Sequence, residues 1–154
     1  MEKTDLLECL RGCRLPEWET LPDFGLYMDQ LVTYVSRSLP GLSGRSELTS
    51  NMINNYVKAG LIRKPEGKKY SREALAQLLM ISLMKPTTPL DVMKTLLYPV
   101  DGTGTEALYA SFRNTQARIE TTFGELECQS ALSCALESSF LQLALRLKLQ
   151  EEET

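Results

Sequence analysis

The densest chemistry in the sequence runs from Thr49 to Arg72, TSNMINNYVKAGLIRKPEGKKYSR. Asn51, Asn54 and Asn55 each carry a donor and an acceptor on one planar amide, the arrangement that pairs with N6 and N7 of adenine in a major groove. Lys58, Arg63, Lys64, Lys68, Lys69 and Arg72 accompany them. Glu66 is the one acid between Lys58 and Arg72, so this stretch holds a local charge of +5. The rest of the chain then carries −8, against −3 for the whole. A basic island on an acidic body suits contact with phosphate better than the net charge alone suggests.

These groups need elements to hold them. Residues 49–59 predict a helix, with Thr49 as N-cap and Gly60 just past the C-terminus. At about 100° per residue, Asn55, Lys58 and Asn54 lie within about 60° of Asn51, while Met52, Ile53, Tyr56 and Val57 fill the arc from about +100° to +240°. The apolar side therefore faces a core. The asparagines share the opposite side with a lysine and no acid. A solvated helix surface would explain such a side, but Glu, Lys, Gln or Ala would serve it better. Each Asn costs about 0.5 kcal/mol of helix propensity relative to Ala. Thr49 and Ser50 put hydroxyls at an N-terminus suited to phosphate. The residues after this helix, LIRKPEGKKYS, read as two short strands around a Glu66-Gly67 turn, a basic wing that Tyr70 orients. The ordinary reading of such a charge run is an edge that discourages strand pairing.

Flanking patterns supply the scaffold. Residues 5–13, DLLECLRGC, have helical spacing, and LPEWETLPDFG reads as a linker whose Trp, Leu and Phe side chains, Trp18 and Phe24 among them, dock on the next helix. That helix is LYMDQLVTYVSRSL, amphipathic and closed by PGLSG. Ser71 caps a helix over REALAQLLMISLMK, Pro86 and Pro89 break it, and LDVMKTLL forms a short one. YPVDGTGTE marks the clearest internal boundary. Leu108, Phe112, Ile119 and Phe123 mark another helix. In the last segment, LQLALRLKL alternates like a strand, but Leu, Ala, Gln, Arg and Lys favour helix and no residue is β-branched. The expected organisation is a helix and docking linker over 1–22, a DNA-binding unit over 23–100 and a helical region over 101–154.

Composition removes other classes. The chain has no histidine, hence no residue of the commonest general-base, nucleophile-activating and metal-ligating type. Cys9, Cys13, Cys128 and Cys134 are spaced C-x3-C and C-x5-C, not the C-x2-C of zinc knuckles. Cys128 and Cys134 on one helix would stand about 9 Å apart along the axis, too far for a disulfide without unwinding. No enzyme, cofactor or metal is expected. The start, MEKTDLLECLRG, lacks a cationic region leading into an apolar run, and no apolar stretch reaches the ~18–20 residues that span a bilayer. A cytoplasmic protein with reduced thiols and no membrane partner is expected.

Two stretches, LTSNMINNYVKAGLI and KKYSREALAQLLMISLMKPTTPLDVMKTLL, resemble the DNA-binding half of MerR-type regulators. Leu48, Thr49, Ile53, Tyr56, Gly60, Leu61, Ile62, Tyr70 and Leu75 fall in register with that pattern. Asn54-Asn55 stands where those regulators carry Arg-Tyr, and the connection from Ser38 to Leu48 is longer than a tight helix-turn-helix allows. More closely, LPEWETLPDFGLYMDQLVTYV with MINNYVKAGLI and KKYSRE resembles an uncharacterised bacterial family, domain-of-unknown-function family eighteen-thirty-six, over about residues 15–100. The resemblance implies a mainly α fold, a MerR-like winged helix-turn-helix with a β-hairpin wing followed by C-terminal helices.

The sequence thus leads to a sequence-specific DNA-binding transcriptional regulator. Asn51, Asn54 and Asn55 are expected at base edges. Thr49, Ser50, Lys58, Arg63, Lys64, Lys68, Lys69 and Arg72 are expected at phosphates, with Tyr70 behind the wing. The leucine-rich C-terminal helices would form a homodimer, an effector-binding module for a small molecule, or a plain intramolecular bundle. The alternative is a winged-helix protein-interaction module whose basic wing docks an acidic partner without DNA.

Overall fold

A computed structural model describes residues 12–39, 47–97, 104–121 and 130–152. Six α-helices occur among them: α1 Met28–Ser38, α2 Ser50–Lys58, α3 Arg72–Met84, α4 Leu90–Leu96, α5 Thr105–Glu120 and α6 Ala131–Glu152. A single 3-10 turn, Trp18–Thr20, precedes them. The expected helix at 5–13 lies outside the described residues except for Gly12 and Cys13, which form a turn. The chain forms two compact units, Met1–Glu120 and Thr121–Thr154.

Helix α3 is the centre of the first unit. Every residue from Ala74 to Ile81 is buried, as an apolar run with no polar side demands. Helix α1 adds Leu31 and Val35, α2 adds Ile53 and Tyr56, and α4 adds Met93. Leu15 and Leu21 from the N-terminal segment and Tyr109 from α5 belong to the same core. Each such side chain contributes about 1.5–3 kcal/mol on burial, so the linker around Trp18 is an integral layer.

Helix α5 holds that linker by polar side chains as well. The Tyr109 hydroxyl donates to the Pro16 carbonyl at 2.6 Å. Arg113 Nε donates to the Leu15 carbonyl at 3.3 Å. Gln116 accepts from the Leu15 amide at 3.0 Å and donates to the Cys13 carbonyl at 2.7 Å. Positions 109, 113 and 116 recur at helical spacing, so one side of α5 satisfies main chain that no sheet partner reaches.

The β-hairpin wing, and with it the winged helix, is not what forms. No strand occurs among the described residues, whose architecture is all-helical. Between α2 and α3 there is one isolated bridge, in which the Glu66 amide donates to the Lys69 carbonyl at 2.9 Å and the Lys69 amide donates back at 3.1 Å. The turn centres on Gly67 and Lys68, one residue later than Glu66-Gly67, with Gly67 at φ +63°. The ladder stops where α3 begins. On the edge that faces away from Pro65, Tyr70 exchanges both main-chain hydrogen bonds with Leu26, at 3.0 and 2.7 Å. The Ser71 carbonyl receives the Leu75 amide at 3.0 Å, and the Arg63 amide is taken by Gln77 Oε1 at 2.8 Å. The next hydrogen-bonded pair of a longer ladder would join Lys64 to Ser71, and Ser71 is already the N-cap of α3.

The second unit contains α6. Its helical form agrees with composition over alternation in LQLALRLKL. Leu132, Leu136, Phe140, Leu143 and Leu147 are exposed. Cys134 is half-buried, and Cys128 lies outside the described residues. Among the described residues no helix is long and apolar enough to cross a membrane.

Candidate nucleic-acid interface

Helix α2 begins where the Thr49 hydroxyl accepts the Met52 amide at 3.3 Å. It ends in a Schellman motif: Gly60 at φ +78° lets its own amide reach the Val57 carbonyl at 3.1 Å and the Leu61 amide reach the Tyr56 carbonyl at 2.9 Å. Between these caps the sides divide as the periodicity demands. Ile53 and Tyr56 are buried, Met52 and Val57 half-buried, and Asn51, Asn54, Asn55 and Lys58 exposed. The helix contains no acid. Thr49 and Ser50 are exposed at its start.

After Gly60, Leu61 and Ile62 dive into the core and Gln77 fixes the Arg63 amide. Tyr70, 5% exposed, anchors the other end of the loop. Between these anchors Arg63, Lys64, Lys68 and Lys69 are all exposed. A short, doubly anchored turn thus displays four cations directly after the asparagine helix.

Two of the expected site residues face the protein rather than solvent. The Tyr70 ring is part of the core, and burial raises its pKa. Arg72 is half-buried, with its guanidinium 5.7 Å from the centre of the Trp18 ring and 3.9 Å from the exposed Asp23 carboxylate. That ion pair is screened by solvent on the Asp23 side, and stacking on Trp18 is the better reason for its orientation. Among the described residues the buried Arg72 Nε has no hydrogen-bond partner.

Some of the surface was not read from sequence. Phe24, expected to dock on the next helix, is instead 66% exposed, and Tyr27 is 47% exposed beside Lys69. The Lys69 ammonium lies 5.5 Å from the centre of the Tyr27 ring. The Leu26–Tyr70 pairing that brings Tyr27 opposite Lys69 spans more than forty residues of chain, a separation no local pattern reports. Gln77 did carry a signal, as a lone amide inside the apolar run ALAQLLMI.

With this geometry in hand, comparison with known proteins adds a family. Residues 16–112 match the family described as Domain of unknown function (DUF1836). The match spans more than half of the chain, which belongs to that family. It covers the N-terminal linker, α1 to α4 and the first half of α5. No curated protein and no solved structure matches the chain.

Proposed function

We propose that the protein binds duplex DNA and acts as a transcriptional regulator, with α2 in the major groove and the turn after it on the flanking phosphates. The observation that carries this reading is the acid-free exposed side of α2, Asn51, Asn54, Asn55 and Lys58, followed directly by the exposed cations of an anchored turn. Amides there can read adenine, and the cations supply affinity that is independent of sequence. The register of Leu48, Thr49, Ile53, Tyr56, Gly60, Leu61 and Ile62 with MerR-type recognition segments adds support from sequence. A pair of chains joined through α6 extends the proposal: Leu136, Phe140, Leu143 and Leu147 recur at spacings of four, three and four, as in a helix–helix seam.

Selection from a random duplex pool at fixed salt tests the reading. The expected result is an enriched motif, palindromic if two chains bind together. Asn54→Ala and Asn55→Ala should each cost about 1–3 kcal/mol on that motif and little on unrelated duplexes. Absence of any enrichment, with a stoichiometric complex to an acidic protein, would favour the interaction module instead.

A further inference from the structure

Lys69 differs from the other cations of the turn in having its side chain held along its length. The reciprocal Leu26–Tyr70 hydrogen bonds set Tyr27 opposite Lys69. Gly25 opens the path between them: a Cβ there would stand 2.6 Å from Lys69 Cβ, 3.0 Å from Cδ and 3.2 Å from Cγ. The lysine stem therefore lies across the glycine, and its ammonium ends 5.5 Å from the Tyr27 ring centre. No carboxylate pairs with this ammonium among the described residues. Both Lys69 and Tyr27 are exposed.

From these contacts we infer that Tyr27 and Lys69 form a two-residue clamp for one DNA phosphate. This rests on the DNA-binding reading and adds to it a residue of the N-terminal segment. The ammonium and the phenolic hydroxyl are both donors, and a phosphate offers oxygens to each. A surface lysine ordinarily loses rotamer freedom when it engages a ligand. Here the glycine path and the ring restrict it beforehand, so less freedom remains to be lost. Tyr27 acts twice, as the ring that holds the cation and as a second donor.

The test is binding of the full chain to a short random-sequence duplex across a salt series. Tyr27→Phe keeps the ring and removes the hydroxyl; affinity should fall about 5-fold with the salt slope unchanged. Lys69→Gln should weaken binding and make the slope shallower by about one. Tyr27→Leu should cost more in the natural chain than in Lys69→Gln, where only the hydroxyl contact is left to lose, because the ring acts through the ammonium. If the natural chain binds DNA and all three variants bind like it, the clamp is wrong and the DNA reading stands. If the natural chain fails to bind any duplex, both fall. Circular dichroism checks folding of each variant, and Tyr27→Phe, which removes one hydroxyl at an exposed position, decides the matter should Tyr27→Leu unfold the chain.

Discussion

Gln77 and Tyr109 show how single polar groups fix the framework of the site. Gln77 is 2% exposed and accepts the Arg63 amide, which sets the first residue of the basic turn. Gln77→Leu keeps the volume apolar but leaves that amide unpaired, at a cost of about 1–3 kcal/mol. Urea denaturation should show the loss, and hydrogen exchange should show the Arg63 amide opening faster. Tyr109 holds the Pro16 carbonyl, and burial drives its pKa far above the ordinary 10.0, with Arg113 opposing that shift more weakly. Burial raises Tyr34, Tyr56 and Tyr70 in the same direction. At pH below 10.0 both folded and unfolded chains keep these protons, and stability is complete. Above it the unfolded chain releases protons that the folded chain retains, so stability falls as pH rises. Tyr109→Phe should lower stability by about 1–2 kcal/mol at neutral pH and flatten part of the alkaline decline, as read from denaturation midpoints across a pH series.

At the scale of elements, two glycines make strong and separate claims. Gly60 closes α2 at φ +78°, where a side chain is strained; Gly60→Ala should cost about 1–2 kcal/mol through the Schellman turn alone. Gly25 needs space rather than a special backbone angle, since the nearest atom is Lys69 Cβ, which cannot swing away. Gly25→Ala should cost about 1–3 kcal/mol and displace the turn from Tyr27. Thermal unfolding measures both, and a neutral result at Gly25 would mean that the two segments are not so closely joined. The helices were legible because caps and periodicity are local: Thr49, Ser71 and Gly60 mark boundaries in the chain itself. The asparagine side of α2 was legible for the same reason. The turn near Glu66-Gly67 was legible because its chemistry is local. The strands end early because Ser71 is the cap of α3, and the pairing of Tyr70 with Leu26 spans more than forty residues. The inward turn of Arg72 onto Trp18 and the exposure of Tyr27 share that non-local origin.

For the whole molecule, charge distribution decides how a partner is approached. The segment from Lys58 to Arg72 carries +5 while the remainder of the sequence carries −8, so the charge that favours a polyanion is concentrated in that segment. Such a field orients an encounter as well as strengthening it. The proposed binding is therefore expected to depend strongly on ionic strength. Arg72 is engaged with Trp18 and Asp23, which leaves Lys58, Arg63, Lys64, Lys68 and Lys69 exposed for the phosphate contacts proposed above. The most direct measurement is therefore the affinity of the full chain for duplex DNA as a function of salt. Log K should fall against log salt with a slope of about −4 per chain, as four or five neutralised phosphates require. Absence of binding at low salt, or binding with no slope, would contradict the account.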